Sequence, residues 1–304
     1  MKLHSHTVLL TGQQAKKLRA ILQERGFIFE AKPYTLFAAK KDKLNVSVYE
    51  KGPKILLQGR GIEDFITFIL EPEITGQALL GYEEVHTPEQ FAPHFGVDES
   101  GKGDFFGPLV IAGVYTDERL TKKFQELGVC DSKNIGSDKK IRELAAAIRA
   151  SQAPWDRIVI TPPKYNELYQ KIGNLNTLLA WGHARVLENL CEKVPGCPRA
   201  LSDKFANERV LQRALLEKGK KLQLEQRTKA ESDYAVAAAS ILAREGFIDW
   251  LEQRGKELGV VLSKGVSSKV KQTARDLVQG HGSGLLPTFA KMHFKTAAEV
   301  MNIR

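Results

Sequence analysis

Two adjacent acids followed by a glycine-containing loop are the most unusual feature of this sequence. Asp98 and Glu99 follow the apolar residues 95–97, which predict a strand, and lead into Gly101, where the chain is free to turn. Successive side chains of a strand point to opposite faces, so a single metal site can use both acids only if the strand bends. The pair is a candidate metal site. The alternative is an ordinary turn in which the two acids cap local amides.

Two further acids stand where they could join that pair. Asp203 ends a short predicted strand at residues 199–202, as Asp98 ends its own. Asp233 precedes an alanine-rich helix, where an acid taken alone is more simply an N-cap. Carboxylates at strand ends and at a helix start are the oxygen ligands that Mg²⁺ takes, and two such ions can promote hydrolysis of a phosphodiester.

The elements beyond residue 94 alternate between strands and helices. Strands are predicted up to Asp98 and at residues 108–115, 158–161, 199–202 and 221–224. Helices are predicted at residues 138–150, 175–190, 207–216 and 234–250. This order favours an α/β domain over residues 94–304, with a mixed, helix-flanked sheet and its site at the strand ends.

Residues 1–80 are predicted to form a separate, small α+β domain with a helix, a four-stranded antiparallel sheet and a second helix. The first helix starts near Thr11 and stops at Gly26, and the second, from Ile62 to Leu70, closes before Pro72. The strands are predicted at residues 27–31, 35–40, 44–49 and 55–58. Residues 81–93, polar and acidic with two prolines, are predicted to be a linker.

Charge is distributed unevenly along the chain. The net charge is +9; residues 1–60 carry 12 Lys and Arg against 4 acids, whereas residues 61–97 carry 7 acids and no base. Such a basic segment suits an anionic partner such as nucleic acid, although it could also be a solvated surface. No run is long and apolar enough for a membrane span or a secretory signal, so a cytoplasmic protein without membrane contact is expected.

Residues 98–109, Asp-Glu-Ser-Gly-Lys-Gly-Asp-Phe-Phe-Gly-Pro-Leu, resemble the signature of bacterial ribonuclease HIII, a type 2 ribonuclease H. Supporting matches lie at residues 130–133, 174–176, 181–185 and 240–244. The resemblance implies a ribonuclease H-like catalytic domain. It also implies that residues 1–80 are a substrate-binding domain resembling half of a TATA-box-binding protein. One departure is Ser263, where the family has proline before Lys264 and Gly265.

Carried over to this sequence, the resemblance implies an endoribonuclease that cuts the RNA strand of RNA/DNA hybrids and leaves 5′-phosphate and 3′-hydroxyl ends. The implied catalytic and metal-binding residues are Asp98, Glu99, Asp203 and Asp233, with Mg²⁺ or Mn²⁺, two ions in the substrate complex. The implied substrate contacts are Gly101, Lys102 and Gly103 beside ribose hydroxyls, and Ser132 and Lys133 beside phosphates.

Two alternatives remain open at this point. Ribonuclease HII shares the chemistry and can cut at a single ribonucleotide in DNA, but that family characteristically has arginine where this chain has Lys102. A non-catalytic nucleic-acid-binding module would explain the charge, yet clustered acids facing phosphates would weaken binding unless a metal offset them. A monomer without an obligate protein partner is expected, since one hybrid could span both domains.

Two histidines also have alternative interpretations. His183 could be catalytic, although a histidine packed within a helix is the simpler interpretation. His281 could shuttle protons from a mobile loop, whereas the simpler interpretation is a surface turn.

Overall fold

The computed structural model describes residues 5–76, 87–228 and 230–301. The chain divides into two compact units, Met1–Pro88 and Glu89–Arg304, and each contains one five-stranded sheet. Both sheets carry helices, which confirms the predicted α/β class. Of the predicted linker, residues 81–86 lie outside the described residues, whereas residues 89–93 pack within the second unit, where Phe91 is buried.

The first unit begins with a strand that the sequence did not predict. Its sheet is antiparallel, in the order β1-β5-β4-β3-β2. The strands are β1 (Ser5–Leu9), β2 (Ile28–Glu30), β3 (Thr35–Lys41), β4 (Leu44–Tyr49) and β5 (Lys54–Gly59). Helix α1 (Gly12–Glu24) starts where predicted, because Thr11 and Gln14 form a reciprocal capping box. The predicted four-stranded sheet therefore gains β1 as an additional edge strand beside β5.

The second helical segment of this unit runs past its predicted end. Helix α2 (Ile62–Phe65) continues as a π-helix over Ile66–Thr75, with Pro72 inside it. The prediction of an end before Pro72 is wrong. Proline disrupts an α-helix through its missing N–H and a clash with the carbonyl four residues earlier, and here the segment continues with π-helical rather than α-helical hydrogen bonding. Buried side chains such as Leu70 and Ile74 hold the segment against the core of this unit.

The second unit has the predicted mixed sheet, in the order β10-β9-β6-β7-β8. The strands are β6 (His94–Ser100), β7 (Leu109–Thr116), β8 (Trp155–Ile160), β9 (Arg199–Asp203) and β10 (Gln223–Arg227). Strands β6, β7 and β8 are joined antiparallel, whereas β9 and β10 run parallel to β6. Strand β6 is therefore the point at which the sheet changes from antiparallel to parallel pairing.

Helices cover both faces of this second sheet. They are α3 (Glu118–Leu127), α4 (Asp138–Ala150), α5 (Pro162–Ile172), α6 (Leu175–Lys193), α7 (Glu208–Ala214), α8 (Tyr234–Leu258), α9 (Ser268–His281) and α10 (Lys295–Met301). Side chains alternate along β7: Ile111 packs with α6 on one face, and Val110 and Ala112 pack with α8 on the other. Within the described ranges, no helix is long and apolar enough to cross a lipid bilayer.

Candidate active site

The strand register brings Asp98 and Asp203 to the same edge of the sheet. The parallel pairing of β6 with β9 runs from Phe95 opposite Ala200 to Val97 opposite Ser202. Asp98 and Asp203 each come one residue after that last pair. Two carboxylates therefore meet where the two neighbouring parallel strands separate, which is the usual position of a site in such a sheet.

Glu99 reaches this place from the opposite face of the same strand. Strand β6 continues through Ser100, so the bend expected between the two adjacent acids is absent, and the turn follows at Gly101, where φ is +89°. Asp98 lies on the face covered by α8, while Glu99 lies on the face covered by α6. Both carboxylates still reach one cavity, because β9 ends at Asp203 and leaves the end of β6 uncovered on that side.

A cavity of about 410 Å³ contains most of the predicted site. Its lining residues are Asp98, Glu99, Ser100, Gly101, Lys102, Gly103, Asp104, Ser132, Lys133, Asp203, Arg244, Phe247 and Lys264. The structure thus brings together three of the four predicted acids and all five predicted substrate contacts. Lys264, from the stretch in which the chain departs from the family pattern, also lines it.

Asp233 does not join the other acids. Its side chain is fully buried, and Oδ1 accepts hydrogen bonds from the backbone N–H of Ala235 at 2.8 Å and of Val236 at 3.3 Å. His94 Nε2 lies 3.0 and 3.1 Å from its two carboxylate oxygens. Asp233 is therefore the N-cap of α8, the alternative that its position before a helix suggested, and it ties that helix to β6 instead of facing the cavity.

Glu231, two residues earlier, is an acid that the sequence reasoning did not select. Its Oε2 is buried without a hydrogen-bond partner among the described residues. Burial lowers the pKa of Lys133, but the charges of Asp98, Asp131, Glu231 and Asp203 outweigh this and raise it. Glu231 thus acts on the same lysine as the cavity acids. The only signal in the sequence was its place in Glu-Ser-Asp before the helix.

The two adjacent acids differ in their electrostatic surroundings. Burial and the neighbouring charge of Glu99 raise the pKa of Asp98 well above its ordinary value. Burial also favours protonation of Glu99, but the hydrogen bond with His183 and the charge of Lys102 outweigh it and lower the pKa of Glu99. His183 Nε2 lies 3.1 Å from Glu99 Oε2, and Lys102 Nζ lies 3.6 Å from Oε1.

His183 is both packed in a helix and part of the site. It is fully buried on α6, as the simpler interpretation predicted, yet it contacts a cavity acid through Nε2. His281, by contrast, is exposed as the last residue of α9 and is not among the residues that line the cavity.

Hydrogen bonds from Lys291 and Gly265 fix the loop that follows Glu99. Lys291 is fully buried, and its Nζ donates to the backbone carbonyls of Asp104 at 2.9 Å and Gly107 at 2.7 Å. Gly265 N–H donates to the Asp104 carboxylate at 2.6 Å, and Phe105 N–H donates back to the Gly265 carbonyl at 3.1 Å. These bonds fix the backbone on the far side of the Gly-Lys-Gly turn.

The donor set fits a hard divalent cation. Within residues 5–76, 87–228 and 230–301, no three acidic, histidine or cysteine side chains already surround one point at coordinating distance. Burial and the neighbouring charge of Glu99, however, raise the pKa of Asp98, and Glu231 Oε2 is buried without a hydrogen-bond partner in the part of the chain that the structure describes. A divalent cation would offset both, and carboxylate oxygens suit Mg²⁺ or Mn²⁺.

The chain is similar to known proteins in sequence and in fold. Residues 95–297 match the family described as ribonuclease HII. The chain is 45% identical over 287 residues to ribonuclease HIII of Protochlamydia amoebophila (strain UWE25), covering 94% of this chain and 93% of that protein. It is 44% identical over 295 residues to ribonuclease HIII of Chlamydia pneumoniae, covering 96% and 97%. It is also similar to the crystal structure of Bst-RNase HIII in complex with Mn²⁺, with a TM-score of 0.67, 27% identity and 98% coverage of each chain.

Proposed function

This chain belongs to the ribonuclease HIII family, and we propose that it hydrolyses the RNA strand of RNA/DNA hybrids at the cavity where β6 and β9 separate. The observation that carries the proposal is the convergence of Asp98, Glu99 and Asp203 beside the Gly-Lys-Gly turn. Acids suited to phosphodiester hydrolysis thus lie next to a backbone that can approach a sugar closely.

The proposed metal ligands are Asp98, Glu99 and Asp203, and Glu231 takes the fourth place in preference to Asp233. The unpaired Oε2 of Glu231 and the fully engaged carboxylate of Asp233 support this choice. These residues would hold Mg²⁺ or Mn²⁺, two ions in the substrate complex, which would supply an activated water and would neutralise charge on the leaving 3′-oxygen. The Mn²⁺ complex of Bst-RNase HIII supports a site for such an ion in this fold.

The chain's own residues bind and orient the hybrid. Gly103 is exposed and a Cβ there would meet no atom within 4 Å, so the backbone beside Lys102 can approach the minor groove and contact the 2′-hydroxyls that distinguish RNA from DNA. Gly101 is buried with φ +89°, and a Cβ there would lie 2.2 Å from the Pro108 carbonyl oxygen, so it contributes to the proposed contact by permitting the turn. Lys133, whose raised pKa keeps it protonated, contacts a backbone phosphate together with Ser132. Cleavage in this orientation leaves a 5′-phosphate and a 3′-hydroxyl.

Residues 1–80 are proposed to bind the substrate through the sheet face that points away from the helices. Val46, Val48, Ile55 and Leu57 fill the core face with α1 and residues 62–75. The intervening positions, which include Lys40 and Lys54, share the opposite face. Replacing Lys40 and Lys54 with alanine should weaken hybrid affinity and flatten its salt dependence. The same replacement of Lys16 and Lys17, exposed on α1, is the matched control, and equal affinities would contradict this role.

The test of the catalytic assignment is the cleavage of an end-labelled RNA/DNA hybrid by the Asp98→Asn variant. Turnover should fall by about 10³-fold or more, while hybrid affinity stays near normal, because the carboxylate acts on the reaction rather than on docking. The exposed Asp276→Asn is the control, and EDTA should abolish cleavage by the native protein. Near-normal turnover of Asp98→Asn would refute the assignment.

A duplex DNA that carries one ribonucleotide separates this proposal from ribonuclease HII-like activity. Because Lys102 stands in the turn and the relatives of similar length are ribonuclease HIII, cleavage of that duplex should be poor compared with a continuous hybrid. Efficient cutting at the lone ribonucleotide would favour the ribonuclease HII alternative. Metal-independent hybrid binding without cleavage in any divalent ion would favour a binding module.

We further propose that the protein acts as a cytoplasmic monomer without an obligate protein partner. The basic sheet of the first unit and the catalytic cavity of the second both belong to one copy of the chain, so the proposed reaction requires no second copy. Light scattering at working concentration tests the monomer, and a dimer whose dissociation abolishes cleavage would contradict it.

A further inference from the structure

Glu99 is held by a histidine that belongs to neither of the two strands carrying the cavity acids. The His183 side chain is 0% exposed, and its Nε2 faces Glu99 Oε2 at 3.1 Å. Oε1, the other oxygen, points towards Lys102 on the cavity side. A carboxylate can only accept in such a pair, so Nε2 carries the hydrogen and donates it to Glu99.

A second contact fixes the other nitrogen of the ring. Ser202 Oγ lies 3.2 Å from His183 Nδ1 and 3.0 Å from the carbonyl oxygen of Asp203. With the ring hydrogen on Nε2, Nδ1 of the neutral imidazole accepts from the Ser202 hydroxyl. The result is a hydrogen-bonded chain from Ser202 on β9, through the imidazole, to the Glu99 carboxylate on β6.

Packing leaves the imidazole little freedom to turn. The ring of Phe205 lies against it, with the centroids 4.7 Å apart. A Cβ added at the preceding residue, Gly182, would lie 2.7 Å from the Ile111 side chain, so α6 approaches β7 as closely as its side chains allow. The two polar contacts and the ring of Phe205 together fix the orientation of the imidazole.

We propose that His183 is a positioning residue that sets the orientation of Glu99 relative to Asp203, so that the two acids present their oxygens to one divalent cation. This rests on the proposed function, because it assigns those two acids to a shared ion. Outer partners that orient metal ligands in this way typically contribute about 10- to 100-fold in metal affinity or activity.

Two replacements of His183 distinguish the effect of its hydrogen-bond donor from the effect of its packing. His183→Leu fills similar space without a donor, whereas His183→Gln keeps an N–H at the end of the side chain. In His183→Leu, the Mn²⁺ concentration for half-maximal cleavage should rise by about 10- to 100-fold, and the increase in Tm caused by Mn²⁺ should shrink. Hybrid affinity in EDTA should not change. His183→Gln should recover a substantial part of both metal responses, and His281→Leu is the matched control on an exposed histidine.

The outcomes are separable from those of the proposed function. Loss of cleavage in Asp98→Asn together with native Mn²⁺ responses in His183→Leu would overturn the role of His183 alone. Equal defects in His183→Leu and His183→Gln would also overturn it, because donation would then not be what matters. If His183→Leu fails to fold, the proposal is tested with Ser202→Ala, which removes only the partner of Nδ1. Ser202→Ala should weaken the Mn²⁺ response several-fold, and an unchanged response would contradict the proposal.

Discussion

Gly96 is the position at which the smallest change should disturb the site most. It lies on β6 below Asp98, on the face where helix α8 begins. A Cβ there would lie 2.2 Å from the backbone nitrogen of Val236 and 2.3 Å from the carbonyl carbon of Ala235. Both atoms belong to the first turn of α8. The strand and the helix are therefore in backbone contact, and Gly96→Ala should push them apart.

The size of the effect follows from that contact. Non-bonded heavy atoms settle at about 3.5 Å, so the first turn of α8 must retreat by roughly 1 Å. Overpacking of this kind costs about 1–3 kcal/mol, which corresponds to a fall in Tm of about 2–12 °C for a domain of this size. The cap Asp233 moves with the helix, and so does Glu231 before it. A displacement of about 1 Å near reacting groups can reduce turnover by about 100-fold.

Thermal unfolding and single-turnover hybrid cleavage test this expectation together. Gly136→Ala is the matched control, because a Cβ at that glycine would meet no atom within 4 Å. We expect Gly96→Ala to lose both stability and turnover, and the control to lose neither. A Gly96→Ala protein with the Tm and turnover of the native chain would refute the close packing of α8 on β6.

Two further predictions concern buried charged side chains that do not themselves line the cavity. Burial lowers the pKa of Lys291 to about 7, from 10.5 in the unfolded chain, so between these values the folded state binds fewer protons than the unfolded state. The free energy of unfolding in urea should therefore rise from pH 7 towards pH 10 and fall as the pH drops to 7. Lys291→Met should remove this dependence, and an unchanged slope would contradict it. Glu245, only 7% exposed, pairs with Arg149 at 2.6 Å and Arg157 at 3.0 Å. Glu245→Ala should lower the free energy of unfolding by about 3 kcal/mol and Glu252→Ala, at 48% exposure, by much less, with equal losses refuting the burial argument.

Local signals predicted several elements well. Helix α4 has the predicted bounds, because Ser137 caps its first turn and Ile141, Leu144 and Ile148 recur on one buried face. Strand β4 likewise begins and ends as predicted. Strand β1 was missed because it is a short edge strand whose outward positions are exposed, so its sequence lacks a continuous apolar run. Helices α3, α5, α9 and α10 were also missed.

Residues of the candidate site could be predicted from the sequence where an acid follows a strand. They could not be predicted where their position depends on packing between segments that are distant in the chain. Asp98 and Asp203 could be selected because each follows a short apolar strand segment; Asp203 ends β9, and Asp98, although β6 continues to Ser100, follows the last residue of β6 that pairs with β9. The choice between Glu231 and Asp233 could not be made locally. It depends on where α8 starts against β6 and on His94, which lies 139 residues from Asp233 in the chain. The same holds for His183, whose partner on β6 is 84 residues away.

The mixed pairing of the second sheet also implies an order in which its strands can pair as the chain is made. Strands β6, β7 and β8 are consecutive and antiparallel, whereas β9 joins β6 only after the connection over residues 101–198 has closed. Such non-local parallel pairing is slow compared with local pairing. During synthesis, the antiparallel half can form while β9 and α8 are still being made. The acids proposed to share the metal ions meet only when β9 is in place, so a chain that still lacks β9 is not expected to cut.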